Sequence, residues 1–261
     1  MCKQPLIILT GPTAVGKTSL SIKLAKKIGA QIISADSMQV YRHMDIGTAK
    51  ITASEMQGVK HYLIDEIEPT EEFNVTIFKE KALKAIEQIR NDGYIPMIVG
   101  GTGFYIQALL YDIEFEDNDA DTSYRQLEKE KGAMYLYEML KNVDPKSAES
   151  IHYRNVKRVV RALEYYKQTG NRISEHNEEQ RKKDSPYNYK YFVLNDIRDN
   201  LYERINKRVD IMFDDGLIDE MQLLTQIGIS RDNTSMQKFL IIGIRWVSLM
   251  EVLLMKMASP Y

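Results

Sequence analysis

Between Leu6 and Gly103, short apolar runs alternate with segments whose apolar positions recur every three or four residues. That alternation predicts strands joined by crossover helices on a parallel sheet, an α/β core. Leu6 to Leu9 is a continuous apolar run, as a strand covered on both faces requires, and it ends at the glycine-bearing loop Gly11 to Gly16. Leu20, Leu24, Ala25 and Ile28 then form a helical stripe that Gly29 stops. Gln31 to Ala35 reads as the next strand, and a polar loop opens at Asp36. A further strand is expected near His61 to Ile67, and a helix from about Val75 to Asn91 that Gly93 ends. Ile95 to Val99 is another buried strand, and Gly100, Gly101 and Gly103 open the turn into a helix through Leu110.

The pattern changes after Tyr111. From Asp112 to Glu130 there are eight acidic residues against Arg125 and Lys129, whereas Ile151 to Lys190 carries ten Lys and Arg against five acids. This region reads as an inserted helical segment: Asp144 and Pro145 suit an N-cap and first helical position, Asn155 caps another helix, and Gly170 ends that one. Tyr191 to Leu194 then resembles a strand, and Asp199 caps a helix to about Asp214 whose packed stripe is Leu201, Ile205, Val209 and Met212. The expected organisation is core over 1–111, helical insertion over 112–188, and a return to the core over 189–261. Phe239 to Met257 is apolar enough to suggest a membrane span, but Arg245, Glu251 and Lys256 interrupt it, and at 100° per residue its polar positions gather on one side. An amphipathic helix, not a span, is expected there.

At 28% charged and 44% hydrophobic over 261 residues, the chain can bury a sizeable core, and fourteen glycines with seven prolines are too few for a collagen-like or linker-rich chain. Cys2 is the lone cysteine, and His43, His61, His152 and His176 show no zinc-ligand spacing, so a reducing compartment is expected and a zinc site is not. The apolar run Leu6 to Leu9 is too short for the core of a secretory signal, which points to the cytoplasm. A net charge of −2 excludes a globally basic nucleic-acid binder while leaving room for a local basic patch.

Gly11-Pro12-Thr13-Ala14-Val15-Gly16-Lys17-Thr18 satisfies G-x-x-x-x-G-K-[ST] between a predicted strand and a predicted helix, the context of a phosphate-binding loop. Glycine lets the backbone wrap an anion, amide N–H groups and the helix dipole meet its charge, Lys17 adds a cation, and Thr18 offers a hydroxyl to Mg²⁺. Most such loops hold ATP or GTP. A nucleotide hydrolase would place an acid at the end of an apolar strand, yet Met97-Ile98-Val99-Gly100-Gly101-Thr102 has none. The nearest strand-end acid is Asp36. In an open parallel sheet it would lie near bound phosphates, as a base or as a turn-forming residue with Ser37. Farther on, Arg154, Lys157, Arg158 and Arg161 follow i, i+3, i+4, i+7 with Val156, Val159, Val160 and Leu163 opposite, so one helix face packs and the other is basic. Arg208 projects beside the stripe of its helix, where a guanidinium needs an anion. Arg204, one turn earlier, is a weaker candidate for the same duty.

The phosphate loop, with Ser34-Ala35-Asp36-Ser37-Met38-Gln39-Val40-Tyr41, Met44-Asp45-Ile46-Gly47-Thr48-Ala49-Lys50 and Val99-Gly100-Gly101-Thr102-Gly103-Phe104-Tyr105, closely resembles the tRNA dimethylallyltransferases. The resemblance runs from about Pro5 to Gln237. It implies a P-loop NTPase-like core with a helical insertion contacting tRNA. The implied activity is transfer of the prenyl group of dimethylallyl diphosphate to the exocyclic amine of the adenosine just 3′ of the anticodon, with no ATP consumed. Residue by residue it implies Asp36, Thr18 and Arg208 as catalytic, and Gly11, Pro12, Thr13, Ala14, Val15, Gly16, Lys17 and Thr18 as the diphosphate cradle with Mg²⁺ on Thr18. Asp36, Ser37, Met38, Gln39 and Thr102 would hold the extruded adenine and its neighbours, and Lys157, Arg158, Val159, Val160 and Arg161 would contact tRNA. The expected partners are the anticodon stem-loop and a prenyl diphosphate, with no membrane and a monomeric chain. A P-loop kinase using ATP, a nucleotide-gated RNA-binding module and an enzyme acting on free adenine nucleotides are the rival readings. After Ser235-Met236-Gln237 the family pattern continues Ala-Ile-Gly-Tyr-Lys-Glu, whereas this chain reads Lys238-Phe239-Leu240-Ile241-Ile242.

Overall fold

The computed structural model describes residues 3–111, 123–182, 184–230, 233–236 and 239. Five strands, β1 (Gln4–Thr10), β2 (Ala30–Ser34), β3 (His61–Tyr62), β4 (Ile95–Gly100) and β5 (Tyr187–Val193), form one sheet in the order β3-β2-β4-β1-β5, every pair parallel. The helices of the first stretch are α1 (Lys17–Ile28), α2 (Ala53–Met56), α3 (Val75–Asn91) and α4 (Gly103–Leu110). Strand alternating with helix is what the periodicity predicts, and the α/β class holds. Position by position β2 is buried throughout, and Ile8, Ile33, Met97 and Ile98 are sealed from water, which makes the continuous apolar runs intelligible: helices cover both faces. Each such side chain is worth roughly 1.5–3 kcal/mol of transfer free energy.

Local departures have local causes. The buried face of α1 is Ser21, Ile22 and Ala25 with Leu24 and Ile28 at its margin, while Leu20, expected in the stripe, is exposed. Strand β3 stops after two residues because Leu63 and Asp65 turn to left-handed backbone (φ 62° and 53°). Beyond it, Ile67 forms one isolated parallel bridge with Tyr41, outside the named strands. Strand β5 begins at Tyr187, four residues before the Tyr191 expected, paired along the whole of β1. Gly29 ends α1 in the left-handed conformation and Gly93, also left-handed, follows α3.

The chain divides into two compact units, Tyr111–Ser185 and the polypeptide on either side of it. The Tyr111–Ser185 unit holds α5 (Ser123–Lys131), α6 (Ala133–Val143), α7 (Pro145–Ser150), α8 (Val156–Thr169) and α9 (Ile173–Lys182) around Leu136, Leu140, Ala148, Val159, Val160, Ala162 and Leu163. Asp144, almost wholly buried, caps α7 with Pro145 at the first position. Its carboxylate also accepts from the Ser147 hydroxyl (2.7 Å) and from the Ser174 N–H and hydroxyl (3.0 and 2.7 Å), tying the starts of α7 and α9 together. Asn155 caps α8, and Gly170 closes it with φ 71°. The last helices are α10 (Arg198–Asp214) and α11 (Leu217–Gln226). The cap of α10 is Ile197 rather than Asp199; Asp196 accepts from the Ile197 N–H and the Asn200 amide instead. No helix among the described residues is long and apolar enough to cross a membrane, and Phe239 to Met257 lies outside them apart from Phe239.

Candidate active site

The carboxyl ends of β1, β2, β4 and β5 converge, which is where an open parallel sheet places its ligands. They are braced by hydrogen bonds. Thr10 Oγ1 donates to the Gly100 carbonyl (2.8 Å), Ala35 N–H to Val99 (2.8 Å), Thr102 N–H to Ala35 (3.2 Å), and Leu194 N–H to Thr10 (2.8 Å). Gly100 permits this closeness, because a Cβ there would lie 2.2 Å from the Ala35 carbonyl oxygen.

The loop from Gly11 to Gly16 leads into α1, with Lys17 at its first position. Ala14 is held at φ 64°, a conformation that costs a non-glycine residue energy and marks functional turns. Among the described residues, the N–H groups of Thr13, Ala14, Val15 and Gly16 donate no hydrogen bond, so the start of α1 presents a row of unsatisfied donors. Lys17 Nζ donates to the carbonyls of Gly11 (2.9 Å) and Pro12 (2.8 Å), folding its cation over the loop. The Thr18 hydroxyl is exposed in the same turn and makes no hydrogen bond among the described residues.

Asp36 follows β2 directly. Its Oδ1 accepts from the N–H groups of Met38 (2.8 Å) and Gln39 (3.3 Å), the turn-forming role, while Oδ2 has no hydrogen-bond partner among the described residues. One carboxylate therefore carries both readings at once, with one oxygen fixing the loop and the other available for a proton. Facing it electrostatically are Lys17 and Arg208. Burial lowers the Lys17 pKa below its ordinary value, the Asp36 charge opposes that shift, and Arg208 adds to it. Burial also lowers Arg208, with Asp36 and then Glu55 opposing. Arg208 is half-buried on α10 and makes no hydrogen bond or ion pair among the described residues, so its guanidinium is an unspent anion site. Arg204 is differently employed: it donates to the Ala14 carbonyl (3.3 Å) and pairs with Asp196, bracing α10 against the strained loop residue.

Behind Asp36 the site is aromatic. Tyr105 stacks on Phe78 at 4.6 Å and meets Phe73 edge-on, which in turn meets Tyr41 edge-on. Burial drives the Tyr105 hydroxyl well above the usual phenol range and Tyr41 to about 12, so both stay neutral and structural. Ser37, Gln39 and Thr102 are half-exposed beside Asp36 in the chain or along the β2–β4 seam. The Met38 side chain is buried under the loop. Gln39 spends its amide on the carbonyls of Ala49 (3.0 Å) and Thr48 (3.5 Å).

Within the Tyr111–Ser185 unit, Lys157, Arg158 and Arg161 stand exposed along α8, one basic face. Val159 and Val160, which the family pattern also assigns to tRNA contact, have their side chains buried in that unit's core, where they pack α8 in place. The contacts of Glu220 and the ion pairs of Lys50 are not legible from sequence, because their partners lie far along the chain or on the other side of a turn.

Among the described residues no three His, Cys, Asp or Glu side chains gather as a metal cluster. Mg²⁺ nonetheless suits the loop, since it binds through phosphate oxygens and retained waters with few protein ligands, and the unengaged Thr18 hydroxyl would supply one such ligand.

The family model described as IPP transferase matches residues 39–251. A tRNA dimethylallyltransferase of Lachnoclostridium phytofermentans is 61% identical over 238 residues, covering 90% of this chain and 76% of that protein. Among solved structures, the tRNA isopentenylpyrophosphate transferase of Staphylococcus epidermidis is 46% identical with a TM-score of 0.62, covering 90% of this chain and 77% of that one. A eukaryotic dimethylallyltransferase acting on tRNA is 30% identical with a TM-score of 0.75, covering 90% and 60%. With the phosphate loop, the strand-end carboxylate and these likenesses together, the chain belongs to the IPP transferase family.

Proposed function

We propose that the chain transfers the dimethylallyl group of dimethylallyl diphosphate to the exocyclic amine of the adenosine 3′ of the anticodon in tRNA, releasing diphosphate. The observation that carries this reading is the placing of two cations, Lys17 folded over the phosphate loop and the unengaged Arg208, within electrostatic reach of one strand-end carboxylate, Asp36, whose second oxygen is unengaged. The adenine amine is a poor nucleophile because its lone pair is delocalised into the ring. Asp36 takes its proton as the nitrogen–carbon bond forms, and the carbon–oxygen bond breaks with its electron pair leaving on the diphosphate. Charge gathering on that leaving group is met by Lys17, Arg208 and the N–H groups of the Gly11 to Thr18 loop. Mg²⁺ held at Thr18 would supply further positive charge to the same oxygens.

The exposed face of α8, Lys157, Arg158 and Arg161, suits contacts with tRNA phosphates that set register without reading sequence. Ser37, Met38, Gln39 and Thr102 would border the extruded base and its neighbours, and the base leaves a loop more cheaply than a duplex. Such work belongs in the cytoplasm, where tRNA is.

The test is nucleoside mass spectrometry of tRNA incubated with the protein, dimethylallyl diphosphate and magnesium. One added isopentenyl unit on the adenosine beside the anticodon is the expected result. No gain, with ATP rather than the prenyl diphosphate protecting the fold from heat, would overturn it in favour of a kinase.

A further inference from the structure

The segment Met44-Asp45-Ile46-Gly47-Thr48-Ala49-Lys50 takes no part in the chemistry above, yet it contains the most concentrated long-range polar contact among the described residues. Three successive backbone N–H groups, of Asp45, Ile46 and Gly47, converge on the buried carboxylate of Glu220 in the first turn of α11, at 2.5, 2.8 and 2.9 Å. Consecutive N–H groups pointing one way form an anion nest, and here a side chain of the same chain fills it. Gly47 lets the two sides meet, because a Cβ there would fall 2.2 Å from the Phe239 ring and 3.0 Å from Leu217 Cδ1.

The nest is rigid on its loop side. The Thr48 hydroxyl donates to Met44 (2.6 Å), and Lys50 donates to the Tyr41 carbonyl (2.6 Å) while paired with Asp45 and Asp65. The Gln39 amide closes the loop onto Ala49. That loop begins at Asp36. On the other side, α11 packs on α10, the helix that carries Arg208. Helix α10 is poorly anchored by packing, since Val209 is its one buried residue among those described. Its place over the phosphate loop therefore depends on polar ties: Arg204 to Ala14, and Glu220, through α11, to residues 45–47.

We infer that Glu220 is a positioning residue of the donor site. It fixes the α10–α11 hairpin, and with it the Arg208 guanidinium, against the loop that carries Asp36. The inference deepens the proposed function and rests on its assignment of Arg208 to the diphosphate. A carboxylate suits this duty because two oxygens accept three N–H bonds, whereas an amide in its place keeps the shape but offers one accepting oxygen.

The test is a double-substitution cycle with Glu220→Gln and Arg208→Gln in the full chain, read first as Kd for inorganic diphosphate by calorimetry. The KM for dimethylallyl diphosphate and for tRNA is then measured well below the melting temperature. Glu220→Gln is expected to weaken diphosphate binding about tenfold, the scale of one charge-assisted hydrogen bond weakened, and to raise the donor KM alike while leaving the tRNA KM within about twofold. In the Arg208→Gln background the same change should shift diphosphate binding less than about twofold, because the group it places is gone. Equal losses in both backgrounds, or a lowered melting temperature with diphosphate affinity unchanged, would overturn the inference. Should Glu220→Gln fail to fold, Glu220→Asp, which keeps the charge on a shorter arm, is carried through the same cycle with the same criteria. A wild-type chain that binds diphosphate but transfers no prenyl group would fail the parent reading alone, since the binding cycle is read without turnover.

Discussion

Asp36→Asn separates the two duties that the structure gives to one side chain. The amide oxygen can still accept from the N–H groups of Met38 and Gln39, so the turn survives; the unengaged Oδ2 becomes an NH₂ group that cannot take a proton. Trading a charged for a neutral acceptor on those two bonds costs about 1 kcal/mol of stability, a shift of roughly 2–4 °C in melting temperature for a chain of this size. Removing the general base should lower turnover 10²- to 10⁴-fold, about 3–5 kcal/mol of barrier. Donor affinity should hold or improve, because a negative charge beside the diphosphate is removed while Lys17 and Arg208 remain. Asp36→Ala should show the same loss of turnover and a larger loss of stability. The assay is single-turnover prenyl transfer to tRNA at saturating dimethylallyl diphosphate, with thermal unfolding alongside. Turnover within about threefold of wild type in Asp36→Asn would remove the carboxylate from proton transfer and leave it a turn residue.

Other predictions rest on separate observations. Changing Lys157, Arg158 and Arg161 together to Gln should weaken tRNA binding and reduce the steepness of its logarithmic salt dependence by about 2, at roughly 0.7–0.9 for each phosphate no longer neutralised; an unmoved slope would make the α8 face merely solvated. Gly100→Ala drives a methyl group into the Ala35 carbonyl and should cost more than about 2 kcal/mol in a denaturant titration, since neither backbone can retreat without parting β2 from β4. Burial raises the pKa of Asp144, but the hydrogen bonds from Ser147 and Ser174 outweigh it and hold the carboxyl below its ordinary value. A depressed folded pKa gives stability that is present above the unfolded value near 4 and is lost as pH falls through the folded one. The stability gap between wild type and Asp144→Asn should therefore be full at neutral pH and narrow below about pH 4; a gap independent of pH would contradict this.

The parts of the molecule legible in the sequence are those set by neighbours in the chain. The phosphate loop, the Asp144-Pro145 start, the Asn155 cap and the Gly29 and Gly170 stops are local chemistry, and each stands where its residue types put it. The length of β3 was not legible, because nothing about Leu63 or Asp65 announces a left-handed backbone. Nor was the sheet order, which depends on pairings between strands up to about 180 residues apart. At the site, the candidates Lys17, Asp36 and Arg208 could be named from motif and family pattern. That pattern does not separate the buried side chains of Val159, Val160 and Met38 from the exposed Lys157, Arg158 and Arg161, because burial is set by packing partners distant in the chain. Glu220 was invisible for the opposite reason: a glutamate in the first turn of a helix looks like an ordinary dipole partner until the loop 175 residues earlier closes on it.

The claim beneath all of this is that the Gly11 to Thr18 loop grips the two linked phosphoryl groups of an allylic donor rather than a nucleoside triphosphate. Calorimetry of the wild-type chain and of Lys17→Ala with dimethylallyl diphosphate and with ATP, each with magnesium, asks this directly. The account predicts tight wild-type binding of the prenyl diphosphate, weakened about tenfold or more in Lys17→Ala by loss of a charge-assisted hydrogen bond, and much weaker binding of ATP. Tight ATP binding that depends on Lys17, with the prenyl diphosphate silent, would contradict it.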